Sequence, residues 1–338
     1  MVPYDAFLLV SFGGPEGPDD VLPFLRNVTA GRDVPAARLE QVAEHYYQFG
    51  GVSPINQQCR DLLAAIEKDF AAGGIGLRLY WGNRNWQPYL TDAVAAMAAD
   101  GVTRALAFVT SAYSSYSSCR QYLGDIEKAR AAVGPTAPRI DKIRQYFNHA
   151  GFIEPFAAGI ADAASTLDPG LRADFDLVFT AHSIPLTMSA ASGPSGGAYP
   201  AQLAEAARLV AERLDYRRPR RLAYCSRSGP PSQPWLEPDI SDCLTDLAAT
   251  GSKAVVVSPI GFVSDHMEVK FDLDKEAAQT ASRLGLGFVR AATPGTDPRF
   301  VSMISDLVRE RLTGAAPAWL GDLGPGHDVC PADCCGTR

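Results

Sequence analysis

No stretch of this 338-residue chain reaches the roughly 18 consecutive apolar residues that a membrane-crossing helix needs. Its opening, MVPYDAFLLVSFGG, has no basic region ahead of the apolar run, which predicts a strand and no secretory leader. Basic residues are few: 31 lysines and arginines stand against 38 acidic residues, a formal net charge of −7. That balance excludes the basic stripe of a nucleic-acid binder. The glycine loops SFGGPEGP (11–18) and GGVSPIN (50–56) match neither G-x-G-x-x-G nor a Walker loop, so no nucleotide site is read. These absences predict a cytoplasmic protein without nucleic-acid partners or stable membrane insertion. Disulfides are disfavoured there.

What is present is apolar material for two cores, 46% of the chain. Strands are expected at 6–13, 77–83, 104–112 and 139–146, and a second series at 176–183, 220–226, 253–261 and 285–291. Helix-like segments at 89–100, 119–132, 201–215 and 265–284 lie between them. Apolar strands alternating with helices predict the α/β class, with parallel sheets covered on both faces. Two series predict two similar halves, 1–148 and 149–313, followed by a Gly/Pro/Ala-rich arm at 314–338. Ligands of such folds sit beyond the C-terminal strand ends. That rule singles out SFGGPEGP, TSAYSSYSSC, TAHSIP and SPIGFVSDHMEV.

His182 stands where the apolar strand FTAHSIP stops. A neutral imidazole there can bind a metal or take a proton; a hydrogen-bonded histidine at a strand end is the simpler alternative. In SPIGFVSDHMEVKFDLDKEAAQ, Asp265 and His266 open a helix, and Glu268, Asp272 and Glu276 follow at i, i+4 and i+8. That spacing aligns three carboxylates on one helical face. Their mutual repulsion would be relieved by a cation passing along the row, although a solvated acidic face has the same pattern. TSAYSSYSSCRQY (110–122) brings hydroxyls and aromatics to another strand end.

Taken together, LLVSFGGPEGPDDVLPFLRNV, GGVSPIN, GNRNWQPY, FTAHSIP, SGPPSQPWLEPD and PIGFVSDHMEVKFDLD resemble the ferrochelatase family, in its order and over roughly 4–312. The resemblance implies a chelatase fold of two Rossmann-like domains, each with a four-stranded parallel sheet, around a porphyrin cleft. It implies insertion of ferrous iron into a porphyrin, with porphyrin and Fe²⁺ as small-molecule substrates. His182 would be the metal-ligating, proton-accepting histidine and Glu268 its partner across the cleft. Asp265 and His266 would support them, and Asp272 and Glu276 would continue the metal path. Ser53, Tyr46 and Tyr122 match positions that contact porphyrin. Phe12 stands where some bacterial relatives carry a tyrosine able to approach iron, so that axial role should be lacking. Arg26 and Arg32 are what remains of the basic residues that some relatives place after the first helix. The absence of an anchor and the likeness to actinobacterial members point to coproporphyrin III as substrate. Protoporphyrin IX insertion, a cobalt or nickel chelatase acting on a sirohydrochlorin-type ring, and a haem- or iron-binding sensor are the alternatives. A monomer is expected, with at most transient contacts to neighbouring enzymes of haem synthesis.

The tail HDVCPADCCGTR carries three of the seven cysteines. Iron–sulfur clusters commonly take four thiolates, and some ferrochelatases carry a [2Fe–2S] cluster on a C-terminal extension. The resemblance therefore implies a cluster on Cys330, Cys334, Cys335 and one internal cysteine. Cys119 has the most exposed local context and sits at a strand-to-helix junction; Cys225 is next. Cys59 and Cys243, like Cys225, read as buried thiols. Zinc is the rival metal. The cluster would fasten an otherwise loose arm.

Overall fold

The computed structural model describes residues 3–229, 232–331 and 333–336. Pro230 and Pro231 of the SGPPSQPWLEPD motif, and the last two residues of the 314–338 arm, lie outside them.

All eight expected strands form. β1 (Ala6–Ser11), β2 (Arg78–Asn83), β3 (Arg104–Val109) and β4 (Arg139–Lys142) make a parallel sheet ordered β2-β1-β3-β4. β5 (Asp176–His182), β6 (Arg220–Cys225), β7 (Ala254–Ser258) and β8 (Gly287–Arg290) repeat it as β6-β5-β7-β8. β1 and β7 are buried along their whole length, as strands covered on both faces must be, which is why they read as unbroken apolar runs. In each sheet the order reverses beside the first strand, β1 or β5, so the C-terminal ends there form the ligand-binding crevice.

The helices are α1 (Val21–Val28), α2 (Ala36–Tyr47), α3 (Ile55–Ala72), α4 (Leu90–Ala99), α5 (Gln121–Val133), α6 (Ala150–Ser165), α7 (Leu186–Ala190), α8 (Ala198–Arg213), α9 (Ile240–Ala249), α10 (Ala278–Arg283) and α11 (Pro298–Thr313). The expected helix at 265–284 is different in kind. Val269–Ala277 is a π-helix that passes into α10, and a shorter π turn, Tyr116–Arg120, precedes α5. Such widened turns concentrate at functional sites, and both fall on segments singled out by the sequence.

One apolar core runs through both halves, from Phe7, Phe70 and Phe108 through Tyr146, Phe152 and Phe300 to Phe179 and Val256. The last helix makes this possible. α11 packs on α6, which covers the second sheet, and also on α3 of the first half. Arg144, just after β4, clamps it with a paired contact to Glu310 at 2.8 and 2.9 Å.

The arm after α11 is not loose. Leu320 N donates to Asn148 O (2.8 Å), Asn148 Nδ2 donates to Gly324 O (2.8 Å), and Asp322 N donates to Glu205 Oε1 (2.8 Å). Direct hydrogen bonds from the body therefore hold the arm at 320–324, in addition to any tie at the cysteines.

Candidate active site and cysteine cluster

The β7–π-helix connection approaches β5 so closely that a Cβ on Gly261 would lie 2.6 Å from Ala181 Cα. Only glycine allows this contact. It brings the segment bearing Asp265–Glu268 beside the end of β5. His182 Nε2 consequently lies 3.5 Å from Glu268 Oε1. The other ring nitrogen, Nδ1, is against Ser183 O, which assigns its proton to that carbonyl and turns Nε2 toward the carboxylate. Tyr199 donates to His182 O (2.9 Å) and holds the strand end. Both side chains keep access to the crevice, 32% and 42% exposed.

Burial works against a charged His182, but the adjacent Glu268 carboxylate and the Ser183 carbonyl overcome it and hold the imidazole above its ordinary value. Glu268 is the mirror case: burial would raise it, and His182 and His266 hold it below the carboxylate range. Each group thus favours the charged form of the other. His266 is kept low by burial, against the pull of Glu268. Its Nδ1 accepts from Glu268 N at 3.2 Å, fixing the backbone that carries the carboxylate.

The acidic row is present on the π-helix. Asp272 is pushed up to about 7, first by burial and then, against its Ser226 hydrogen bond, by the charges of Glu268 and Glu276. Glu276 is raised by burial and by Asp239. Asp239 is a member of the row that sequence reasoning missed; its only signal was its place at the end of WLEPD. Among the described residues this row does not gather three ligand atoms into one closed metal site.

Asp265 stands further back. Arg290 donates to it at 3.3 and 3.1 Å and also to Asp274 at 3.1 Å, tying the start of the segment to the middle of the π-helix. Across the crevice, Gln58 of α3 accepts from Asp265 N (2.8 Å), and His45 of α2 stacks on Phe271 at 3.7 Å. His45 too was missed, since a histidine inside an amphipathic helix carries no motif.

The four residues expected to contact porphyrin separate into two groups. Tyr46 is raised by burial and then by the charges of Glu268 and Asp272, which lie near it. Phe12 is half-buried against Phe24 and is approached by the Arg84 guanidinium at 5.8 Å. Ser53 and Tyr122, by contrast, are 4% and 5% exposed. Ser53 N donates to Pro15 O, joining the two glycine loops (2.8 Å). Tyr122 lies beneath Arg84, 4.6 Å from its guanidinium, which is itself 2.6 Å from Asp125. Both are buried, and packing of α5 on the first sheet turns Tyr122 inward. Arg26, in the last turn of α1, and Arg32, beyond it, are exposed. A separate hollow lined by Asp174, Arg218, Arg221 and Lys253 lies at the opposite, N-terminal end of the second sheet and shares none of these residues.

The cysteines gather as the tail suggested. Cys119, Cys334 and Cys335 are buried together with Cys330 beside them, and all are free thiols. Cys119 is 1% exposed, because the arm covers the π turn that carries it; its expected exposure is corrected. Adjacency of Cys334 and Cys335 is accommodated by a left-handed backbone at Cys335 (φ 53°), which turns both sulfurs inward to 3.8 Å. Gln145 Nε2 donates to Cys119 Sγ (3.0 Å) and Gly193 N to Cys335 Sγ (3.2 Å). Arg120 binds the Cys334 and Pro331 carbonyls at 2.7 and 3.0 Å. His327, unmarked by the sequence reading although it stands three residues before Cys330, brings Nε2 to 3.6 Å from Cys334 Sγ. His327, Cys330 and Cys334 place their ligand atoms within 4.8 Å of one another. Cys225 lies away from this group, at the end of β6 against Ala181 O (3.7 Å), and so is no reserve ligand.

Two matched four-stranded parallel sheets with flanking helices are the architecture of the chelatase fold. The Bacillus subtilis protein SirB, solved with Fe³⁺, shares that architecture at a TM-score of 0.56 and 12% identity, covering 92% of this chain and 96% of its own. The chain belongs to the ferrochelatase family, whose sequence profile matches residues 4–312. It is 52% identical to the coproporphyrin III ferrochelatase of Streptomyces griseus subsp. griseus, over 99% of this chain and 94% of that protein. It is 55% identical to that of Nocardia farcinica (99% and 97%) and 54% identical to the ferrochelatase of Rhodopirellula baltica (98% and 93%).

Proposed function

We propose that this protein inserts Fe²⁺ into coproporphyrin III, with His182 and Glu268 as the working pair. The observation that carries the reading is the 3.5 Å approach of His182 Nε2 to Glu268 Oε1 at the strand ends. Insertion exchanges two pyrrole N–H protons for one metal ion. A group that binds the ion and a base that takes the protons must therefore act at one place. Fe²⁺ arriving at Glu268 neutralises the carboxylate that keeps His182 protonated. The imidazole then sheds its proton and becomes a base when the metal is present. One imidazole and one carboxylate hold iron less firmly than a closed four-ligand cage, which lets it leave for the porphyrin. Asp272 and Glu276 supply the ion along the π-helix. Tyr46 and Phe12 form the porphyrin-facing wall, with Ser53 and Tyr122 behind it. The halves 1–148 and 149–313 are read as its two domains.

The comparison of kcat/KM for coproporphyrin III and protoporphyrin IX tests the substrate. Coproporphyrin III is expected to be preferred; a preference for protoporphyrin IX rejects the reading. The pH dependence tests the pair. His182 must be unprotonated to act, and its raised value extends the acid limb of kcat/KM up to about 9. Glu268→Gln removes the charge that raises it, so the limb should move to lower pH by about one unit or more, alongside the lost rate. A limb that stays in place would show that the imidazole does not control the profile.

We further propose that Cys119, Cys330, Cys334 and Cys335 hold one [2Fe–2S] cluster. The fit rests on the donor set: four converging unbonded thiols, two of them already receiving N–H hydrogen bonds of the kind cluster sulfurs accept. Such a group would supply one-electron chemistry and a covalent tie for the arm. Neither His182 nor Glu268 contacts these sulfurs.

A further inference from the structure

Lys142 ends β4 and is 8% exposed. Its ammonium donates to two neutral acceptors, Ile143 O at 2.9 Å and Gln145 Oε1 at 3.2 Å. Among the described residues no carboxylate lies within ion-pair distance of it. The nearby acids are committed elsewhere. Asp141 accepts from Tyr4 (2.8 Å) and Arg104 (2.9 Å), and Glu310 accepts from Arg144. A buried cation without a counter-anion is unfavourable, so the fold retains this one against its own interest.

The amide it binds leads on to a sulfur. The Gln145 side chain that accepts from Lys142 donates from its other end to Cys119 Sγ at 3.0 Å. The lysine's charge favours the thiolate of both Cys119 and Cys330, although the net shift of each thiol is upward. For Cys119, hydrogen bonding to Cys330 pulls down, and the Cys335 contact and burial push up. For Cys330, the hydrogen bond with Cys119 and burial push up.

We infer that Lys142 is the built-in counter-charge of the cysteine site and that, through Gln145, it favours the reduced form of the cluster those thiolates would hold. The inference rests on the cluster reading above. Four thiolates give such a cluster a net negative charge, and one added electron increases it. A fixed positive charge and an N–H···S hydrogen bond both stabilise the more negative state. In a titration with a dithionite-class reductant, one electron enters the cluster from the mediator. No bond forms or breaks in that step.

The experiment is a mediated redox titration of purified protein, followed by visible absorption and paramagnetic resonance, on the native chain, Lys142→Met and Lys142→Arg. Iron and acid-labile sulfide are measured first. Native protein without them ends the cluster reading and this inference with it. With native protein loaded, Lys142→Met should shift the midpoint negative by at least a tenfold change in the oxidised-to-reduced ratio, 59 mV for one electron, while Lys142→Arg stays near native. An unchanged midpoint in Lys142→Met overturns the inference and leaves the cluster standing. A Lys142→Met protein that is folded and active but empty, beside a loaded Lys142→Arg, supports the charge requirement. Loss of the cluster from both variants overturns it, since one of them keeps the charge.

Discussion

His182→Ala should lower steady-state Fe²⁺ insertion by about 10³-fold or more. A positioned general base alone contributes roughly 10²–10⁴-fold, and this substitution also removes a metal ligand and leaves Glu268 without its partner 3.5 Å away. The backbone should survive the change. Tyr199 bonds the His182 carbonyl, not its ring, and β5 is paired on both sides. Turnover is measured anaerobically with coproporphyrin III, and folding by circular dichroism. Near-normal turnover in a folded variant would refute the base assignment. The double variant with Glu268→Gln should lose little more than His182→Ala alone, because the two groups act as a unit; fully multiplicative losses would separate them.

Cys334→Ser should abolish visible absorption and most of the iron and labile sulfide. Cys334 is 0% exposed and lies at the centre of the donor group, touching both Cys335 and His327. Freshly purified native protein is expected to be brown. Colourless native protein with one zinc per chain would refute the cluster while retaining the ligands. Cys119→Ser should behave as Cys334→Ser does; retained colour there would point to His327 as the fourth donor, since Cys225 is out of reach. Iron insertion should persist in Cys334→Ser, because the arm remains held by Asn148, Arg144 and Glu205. Loss of turnover in a folded Cys334→Ser protein would instead tie the cluster to the reaction.

The expectations that held and those that failed differ in the range of the interactions behind them. The central strands β1 and β7 were legible because burial on both faces demands unbroken apolar residues, and a run such as AVVVS reports that directly. The π-helix was not legible. Its carboxylate spacing suits an α-helix equally well, and the widened turn belongs to a segment tied to the body by Arg290, Gln58 and the stack of His45 on Phe271. Tyr122 illustrates the same limit. Its place after a strand end suggested a binding face, but packing of α5 on the first sheet buries it under Arg84. Cys119 had an exposed local context, and only the returning arm covers it.

The pairing of His182 with Glu268 was implied by the family resemblance; the sequence by itself determined the α/β class, the two strand series and the grouping of three cysteines in the tail. These follow from local patterning, and local patterning is written in neighbouring residues. The tertiary structure decided what long-range packing controls. It closed Gly261 onto β5 so that Glu268 meets His182, and let α11 join the two halves into one core. It also turned Cys335 left-handed so that adjacent sulfurs converge, and set Lys142 without a carboxylate partner among the described residues, beside the thiols. Gly261 on Ala181 and α11 on α3 and α6 join residues far apart in the chain, and the packed body around Cys335 and Lys142 sets their surroundings, so no window of sequence reports them.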